Sequence, residues 1–155
     1  MAGCGRIGTA AVLRAKALGF QTRFYDPYLA PGYDKAIGVA RVESLEDLLD
    51  ASDVLSLHVP LTAETRRMID AAQFARMKPT AYLVNTSRGG VVCHDALVEA
   101  LAAGKIGGAG LDVLEHEPEG ADVLTRFPNC IVTPHSAFYS QEALVEMRRK
   151  SAETV

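Results

Sequence analysis

Arg88, Glu117 and His135 each follow a short apolar run: Tyr82-Leu83-Val84, Ala109 to Val113, and Cys130 to Thr133. An arginine, a carboxylate and an imidazole just past strand ends suit hydride transfer on a 2-oxo acid. Arg88 lies between small residues in Asn85-Thr86-Ser87-Arg88-Gly89-Gly90, where its planar fork can meet a carboxylate or carbonyl oxygen. Imidazole as a residue type changes charge near neutrality, the property a general acid–base group needs. Each residue alone also has a plain reading. His135 after Pro134 could be structural, Arg88 could pair with a nearby acid, and Glu115 and Glu117 around His116 could be a solvated turn or weak metal ligands. No helical His-x-x-x-His spacing supports a metal, so none is expected.

The opposite end of the chain offers a nucleotide. Gly3-Cys4-Gly5-Arg6-Ile7-Gly8 has G-x-G-x-x-G spacing. That spacing serves a tight turn, close backbone approach to a pyrophosphate, and close helix packing. The N–H groups of the following helix point at phosphate. Asp26 comes about 18 residues after Gly8, where an acid accepts hydrogen bonds from ribose hydroxyls. No Arg or Lys follows it in Pro27-Tyr28-Leu29 to meet a 2′-phosphate, which favours NAD over NADP. A glycine-rich turn without a ligand, or an AdoMet methyltransferase, would also show glycines and an acid.

Positioning these groups requires alternating strands and helices, the pattern of a helix-covered parallel sheet. Apolar spacing predicts a helix from about Arg6 to Leu18, stopped by Gly19, then a strand over Gln21 to Tyr25. Ser44-Leu45-Glu46-Asp47 opens a helix to about Leu49 as a variant capping box. Asp53 to Val59 reads as a strand closed by Pro60, and Asp70 caps a helix through Met77. Asp95 to Ala103 is a helix stopped by Gly104. Gln141 opens a last helix. Composition is that of one globular domain: 155 residues, 48% hydrophobic, 23% charged, net charge −3. The acidic balance argues against direct nucleic-acid binding, and no apolar run is long enough to span a bilayer. Three widely spaced cysteines without a C-x-x-C pair fit reduced thiols in a cytoplasmic setting.

At this point the chain resembles the NAD-binding domain of the D-isomer-specific 2-hydroxyacid dehydrogenases. The resemblance is carried by Gly3 to Gly8, Tyr25-Asp26-Pro27, His58-Val59-Pro60-Leu61-Thr62, Asn85 to Gly90, Leu111 to Pro118, and Thr133-Pro134-His135. Arg14 to Phe20, Tyr25 to Tyr28 and Thr133 to Ser140 are similar to the C-terminal-binding-protein branch, although Phe138 stands where that branch usually has Trp. The resemblance implies a Rossmann-type, doubly wound parallel sheet and NAD as cofactor. His135 would be the acid–base group, Glu117 its partner, and Arg88 the substrate-carboxylate ligand. Asp112 would contact the nicotinamide side. Gly3, Gly5, Arg6, Ile7, Gly8 and Asp26 would hold pyrophosphate and ribose, Pro60, His58 and Thr62 would line the adenine or ribose path, and Thr86, Ser87, Arg88 and His135 would also meet the cofactor.

Only Met1 and Ala2 precede Gly3, leaving no room for the strand that should feed the loop. The expectation is a partial domain over residues 1–155, with its first strand and the substrate domain absent and not active alone. Loss of that central strand predicts unpaired edges and an open core. The implied partners are a small 2-hydroxy or 2-oxo acid and, in the full-length parent, a second copy as homodimer. The competing reading is an NAD(H)-sensing corepressor-type binding module.

Overall fold

A computed structural model describes residues 1–115 and 123–153. Arg6–Ala17 forms α1, Arg23–Phe24 β1, Tyr33–Ile37 α2, Ala40–Arg41 β2 and Leu45–Ala51 α3. Val54–Leu57 is β3, Ala71–Arg76 α4, Tyr82–Asn85 β4, His94–Ala102 α5, Gly108–Leu111 β5, Cys130–Val132 β6 and Gln141–Glu153 α6. β3, β4, β5 and β6 pair in parallel in that order, and β1 pairs in parallel with β2.

The expected gap at the centre is closed, which corrects the prediction of unpaired edges and an open core. Ala2 bridges both Tyr25 and Leu57 in parallel. Its N–H donates to Ser56 O at 2.9 Å and its carbonyl accepts from His58 N at 2.8 Å. On the other side, Gly3 N donates to Tyr25 O at 2.9 Å and Met1 O accepts from Tyr25 N at 3.0 Å. A residue in a parallel ladder turns both its polar groups to one neighbour while the flanking residues serve the other. Three residues therefore stitch β1 to β3. The resulting order, β2-β1-(Met1–Gly3)-β3-β4-β5-β6, reverses at the glycine turn, as in dinucleotide-binding sheets.

Local chemistry explains most boundaries. Ser44 Oγ accepts from Asp47 N at 3.1 Å and caps α3. Asp70 Oδ1 accepts from Ala71 N at 2.7 Å, and Gln73 Oε1 reaches back to Asp70 N at 3.2 Å, which starts α4. Gly19 and Gly104, at φ 91° and 63°, end α1 and α5 in the left-handed region. The main core gathers Leu48 and Leu49 of α3, Leu55 and Leu57 of β3, Phe74 of α4, Leu83 of β4 and Leu97 and Leu101 of α5. Cys4, Val12, Phe24 and Val39 form a second cluster beneath α1. Among the described residues no helix is long and apolar enough to cross a membrane.

Candidate functional site

Leu57, Asn85, Leu111 and Val132 are aligned across β3, β4, β5 and β6. Immediately past this row come His58 to Thr62, Thr86 to Arg88, Asp112, and Thr133 to His135. Gly3 and Asp26 leave the same edge, because Ala2 is bridged to both Tyr25 and Leu57. The carboxyl edge of one sheet thus collects the described candidate residues. Glu117 lies outside the described residues.

The glycine turn is built for close approach. Gly3 has φ 85°, and a Cβ there would lie 2.6 Å from His58 O. A Cβ on Gly8 would lie 2.2 Å from Gly3 O. Gly5 differs: nothing stands within 4 Å of its Cβ position, so the turn is open on the side where a ligand would lie. Gly5 is also the N-cap of α1; no side chain caps that end and no acid occupies its first turn. Uncapped N–H groups and a positive helix end suit a pyrophosphate. Arg6 and Ile7, exposed in that first turn, flank the approach.

Asp26 locks this turn to β1. Its Oδ2 accepts from Cys4 N at 2.9 Å and its Oδ1 from Tyr28 N at 3.0 Å. A cleft of about 610 Å³ opens beside it, lined by Gly3, Gly5, Asp26, His58, Pro60 and Thr62 among others. Its size and open glycine wall fit a nucleotide moiety, with carboxylate lone pairs left to accept from ribose hydroxyls. Tyr28 and Glu64, given no site role in the sequence reading, also line the cleft, and the Tyr28 hydroxyl donates to the Glu64 carboxylate. That bond raises the phenol's pKa above its usual value. Thr65 shapes the same wall, its Oγ1 donating to Pro60 O and accepting from Thr62 N at 2.8 Å.

Cys4, inside the glycine turn, is fully buried. Burial pushes its thiol up, opposed by a hydrogen bond with Thr9. Cys93 and Cys130 are buried too. All three thiols are therefore expected to react slowly with Ellman's reagent in the native chain and promptly in denaturant. Rapid native labelling of one thiol would contradict this burial.

The half of the edge that carries Arg88 and His135 is organised by two buried polar side chains. Asn85, 1% exposed, accepts from Ser87 N at 3.0 Å and Ser87 Oγ at 2.8 Å through Oδ1, and donates from Nδ2 to Arg88 O at 3.1 Å. It thereby turns the chain so that Thr86 and Arg88 are exposed. Asp112, 5% exposed, binds the loop after β6 with both oxygens. Oδ1 accepts from Thr133 Oγ1 and Ser136 N, and Oδ2 from Ala137 N. Burial raises the Asp112 carboxyl pKa, but these bonds and the nearby His135 outweigh it and hold it below the ordinary range. Between the anchored residues His135 adopts φ 50°, a left-handed conformation that non-glycine residues rarely take. Its ring meets Phe138 edge-on at 5.8 Å. Asp112, for which the resemblance implies a nicotinamide contact, is the anchor of the histidine loop.

Gly89 fixes the spacing between the β4 and β5 loops: a Cβ there would lie 1.7 Å from Leu114 O. Neither Asn85 nor Gly89 was singled out from sequence, although both lie in the quoted Asn85 to Gly90 motif. Among the described residues no group of three or more metal-ligating side chains occurs.

The family model for the D-isomer specific 2-hydroxyacid dehydrogenase, NAD binding domain, matches residues 1–137. The chain belongs to this family. A glyoxylate reductase of Korarchaeum cryptofilum is 48% identical over 154 residues, which are 99% of this chain and 46% of that protein. C-terminal-binding protein 1 of Caenorhabditis elegans is 40% identical over 156 residues, 99% of this chain and 22% of that protein. The chain therefore spans less than half the length of either relative. The NAD-complexed D-isomer specific 2-hydroxyacid dehydrogenase of Lactobacillus delbrueckii ssp. bulgaricus superposes with TM-score 0.87 at 34% identity, over 96% of this chain and 49% of that one. The fold is that family's Rossmann-type parallel sheet, and NAD is its cofactor.

Proposed function

We propose that this chain is the NAD-binding part, over residues 1–155, of a dehydrogenase that interconverts a 2-hydroxy and a 2-oxo acid. The observation that carries the reading is the shared sheet edge: Arg88, Asp112 and His135 leave adjacent strands beside an open glycine turn. NAD supplies the hydride acceptor, and NADH the donor, at the substrate's C2 carbon. Gly3, Gly5, Arg6, Ile7 and Gly8 hold the pyrophosphate, and Asp26 the adenosine ribose. Pro60 and Thr62 line the adenosine path, while Thr86 and Ser87 meet the nicotinamide half. The Arg88 guanidinium grips the substrate carboxylate and polarises the C2 oxygen. An imidazole nitrogen of His135 gives a proton to that oxygen in reduction and takes it back in oxidation. Glu117 accepts from the other nitrogen and stabilises the charged ring. Asp112 keeps the histidine loop in place.

The higher identity to the glyoxylate reductase supports this reading over a corepressor-type module. Substrate closure and the remaining substrate contacts belong to a second domain of the kind the longer relatives have room for. A homodimer in the cytoplasm fits the family resemblance and the buried, reduced thiols.

The test is NADH oxidation by glyoxylate and larger 2-oxo acids, with the chain joined to a relative's substrate domain. His135→Gln is expected to lower kcat about 10²- to 10⁴-fold. Arg88→Gln loses a charge-assisted contact of about 1.5–3 kcal/mol, roughly a 10- to 100-fold fall in kcat/KM. Undiminished turnover in either variant would contradict its assigned role.

A further inference from the structure

The cleft beside the glycine turn holds a second carboxylate. Asp26 lines it from the loop after β1, and Glu64 lines it from the loop after β3. Glu64 is exposed but carried on a braced turn. Thr65 Oγ1 accepts from Thr62 N at 2.8 Å and donates to Pro60 O. Thr62 Oγ1 accepts from Thr65 N at 3.3 Å, and Arg66 N donates to Thr62 O at 3.0 Å. Tyr28 then fixes the carboxylate itself, because its hydroxyl donates to Glu64. The Tyr28 N–H donates to Asp26 Oδ1 at 3.0 Å. One residue therefore joins both acids, Asp26 through its backbone and Glu64 through its phenol.

No fixed positive charge balances the pair. The described residues that line the cleft include no lysine or arginine. His58 lines it too, but burial lowers the pKa of that imidazole, so it is uncharged at neutral pH. Among the described residues Glu64 forms no ion pair. Arg66, two residues on, reaches instead toward Gly90, with Nη1 3.8 Å from that glycine's Cβ position. A phosphate monoester on the ribose 2′-oxygen carries nearly two negative charges and is held by cations. A free 2′-hydroxyl can donate to a carboxylate, which only accepts.

We infer that Glu64 is a specificity-determining residue: held at the ribose end of the cleft by Tyr28, its carboxylate joins Asp26 in selecting NADH over NADPH. The inference rests on the proposed seat of the adenosine ribose at Asp26. Glu64 acts on a 2′-phosphate by charge across the cleft and makes no bond that NADH needs.

The test titrates NADH into the folded 155-residue chain and reads NADPH by its displacement of NADH. Glu64→Gln keeps an acceptor for the Tyr28 hydroxyl and removes only the charge. It is expected to tighten NADPH binding roughly 3- to 10-fold, the effect of one carboxylate on a dianion in a watery cleft. NADH binding should stay unchanged. Glu64→Lys supplies a cation and should go further in the same direction. At about 1 M salt, where the Debye length is about 3 Å, the Glu64→Gln gain should vanish. A mere change of shape would not respond to salt in this way. Tyr28→Phe frees the carboxylate from the ribose end and should give part of the gain, none of it additional to that of Glu64→Gln.

A selectivity that neither Glu64 variant alters, while Asp26→Ala still weakens NADH, would overturn the role of Glu64 and leave the ribose seat standing. NADH binding indifferent to Asp26→Ala would overturn the seat, and the inference with it. A Glu64→Gln gain that survives high salt would overturn the action by charge. Gains that add in the Tyr28→Phe, Glu64→Gln double variant would overturn the tether.

Discussion

Gly5→Ala and Gly8→Ala are expected to separate binding from folding. Around Gly5 no atom lies within 4 Å of the Cβ position, so alanine there meets only a ligand. Its cost to stability is the difference between two N-cap residues, about 1 kcal/mol or less. A methyl group facing the pyrophosphate costs about 1–3 kcal/mol of overlap, weakening NADH binding roughly 10- to 100-fold. At Gly8 the methyl would lie 2.2 Å from Gly3 O, a backbone atom of the glycine turn. A backbone atom cannot swing aside as a side chain can, so the cost is at the upper end of overpacking, about 3 kcal/mol or more. Gly8→Ala should lower the Tm and abolish binding together. Parallel thermal melts and NADH titrations check both, and equal effects at the two positions would show that the turn is not open as described.

Acid should release the histidine loop. Asp112 is buried and accepts from Thr133 Oγ1, Ser136 N and Ala137 N. Its pKa is lowered in the folded chain. A depressed carboxyl contributes stability that is complete above its unfolded value of about 3.9 and is lost as pH falls through the folded value. Stability should therefore fall below about pH 4 more steeply in the parent than in Asp112→Asn, which has no carboxylate to titrate there. At neutral pH the same substitution replaces an acceptor with an amide donor facing backbone N–H groups. The expected loss is about 1–3 kcal/mol, or about 2–4 °C of Tm for each kcal/mol. Denaturation followed from pH 2 to 7 in both chains checks the sign. Identical acid profiles would mean that Asp112 does not hold the loop.

What could be read from sequence was what short-range chemistry decides. α1 and α5 announce themselves by apolar spacing and by the glycines that end them. The capping box of α4 is a local pattern, and the structure completes it with Gln73 where only Asp70 had been singled out. β1 proves shorter than the expected run over Gln21 to Tyr25: only Arg23 and Phe24 pair with β2, at Ala40 and Arg41, and Tyr25 bridges Ala2. α2 and β2 went unread: five and two residues, on either side of Gly38, give too little periodicity to stand out. The central seam was misjudged for a different reason. Three residues suffice there because a parallel ladder alternates its partners, which apolar patterning does not reveal.

The site divides the same way. The glycine turn, Asp26, Arg88 and His135 were legible as motifs at strand ends. Their supports were not. Asn85 acts on its own turn and Glu115 caps a helix from another loop, while Gly89 faces a carbonyl 25 residues away in sequence, at Leu114. The roles of Glu115 and Gly89 depend on long-range contacts that no residue type announces. Asp112 was legible as a candidate residue, but its bonds to the loop after β6 became visible only with that loop in place.

The central claim is that residues 1–155 form a dinucleotide site whose turn, helix end and acid are already in position. It is tested most directly by titrating NADH into the folded chain, with NADPH and the Asp26→Ala variant alongside. The account predicts saturable NADH binding, weaker NADPH binding because a 2′-phosphate would face the Asp26 carboxylate, and a loss of about 10- to 100-fold in Asp26→Ala as ribose hydrogen bonds of about 1.5–3 kcal/mol disappear. A folded chain that binds neither dinucleotide, or that binds NADH equally well without Asp26, would contradict it.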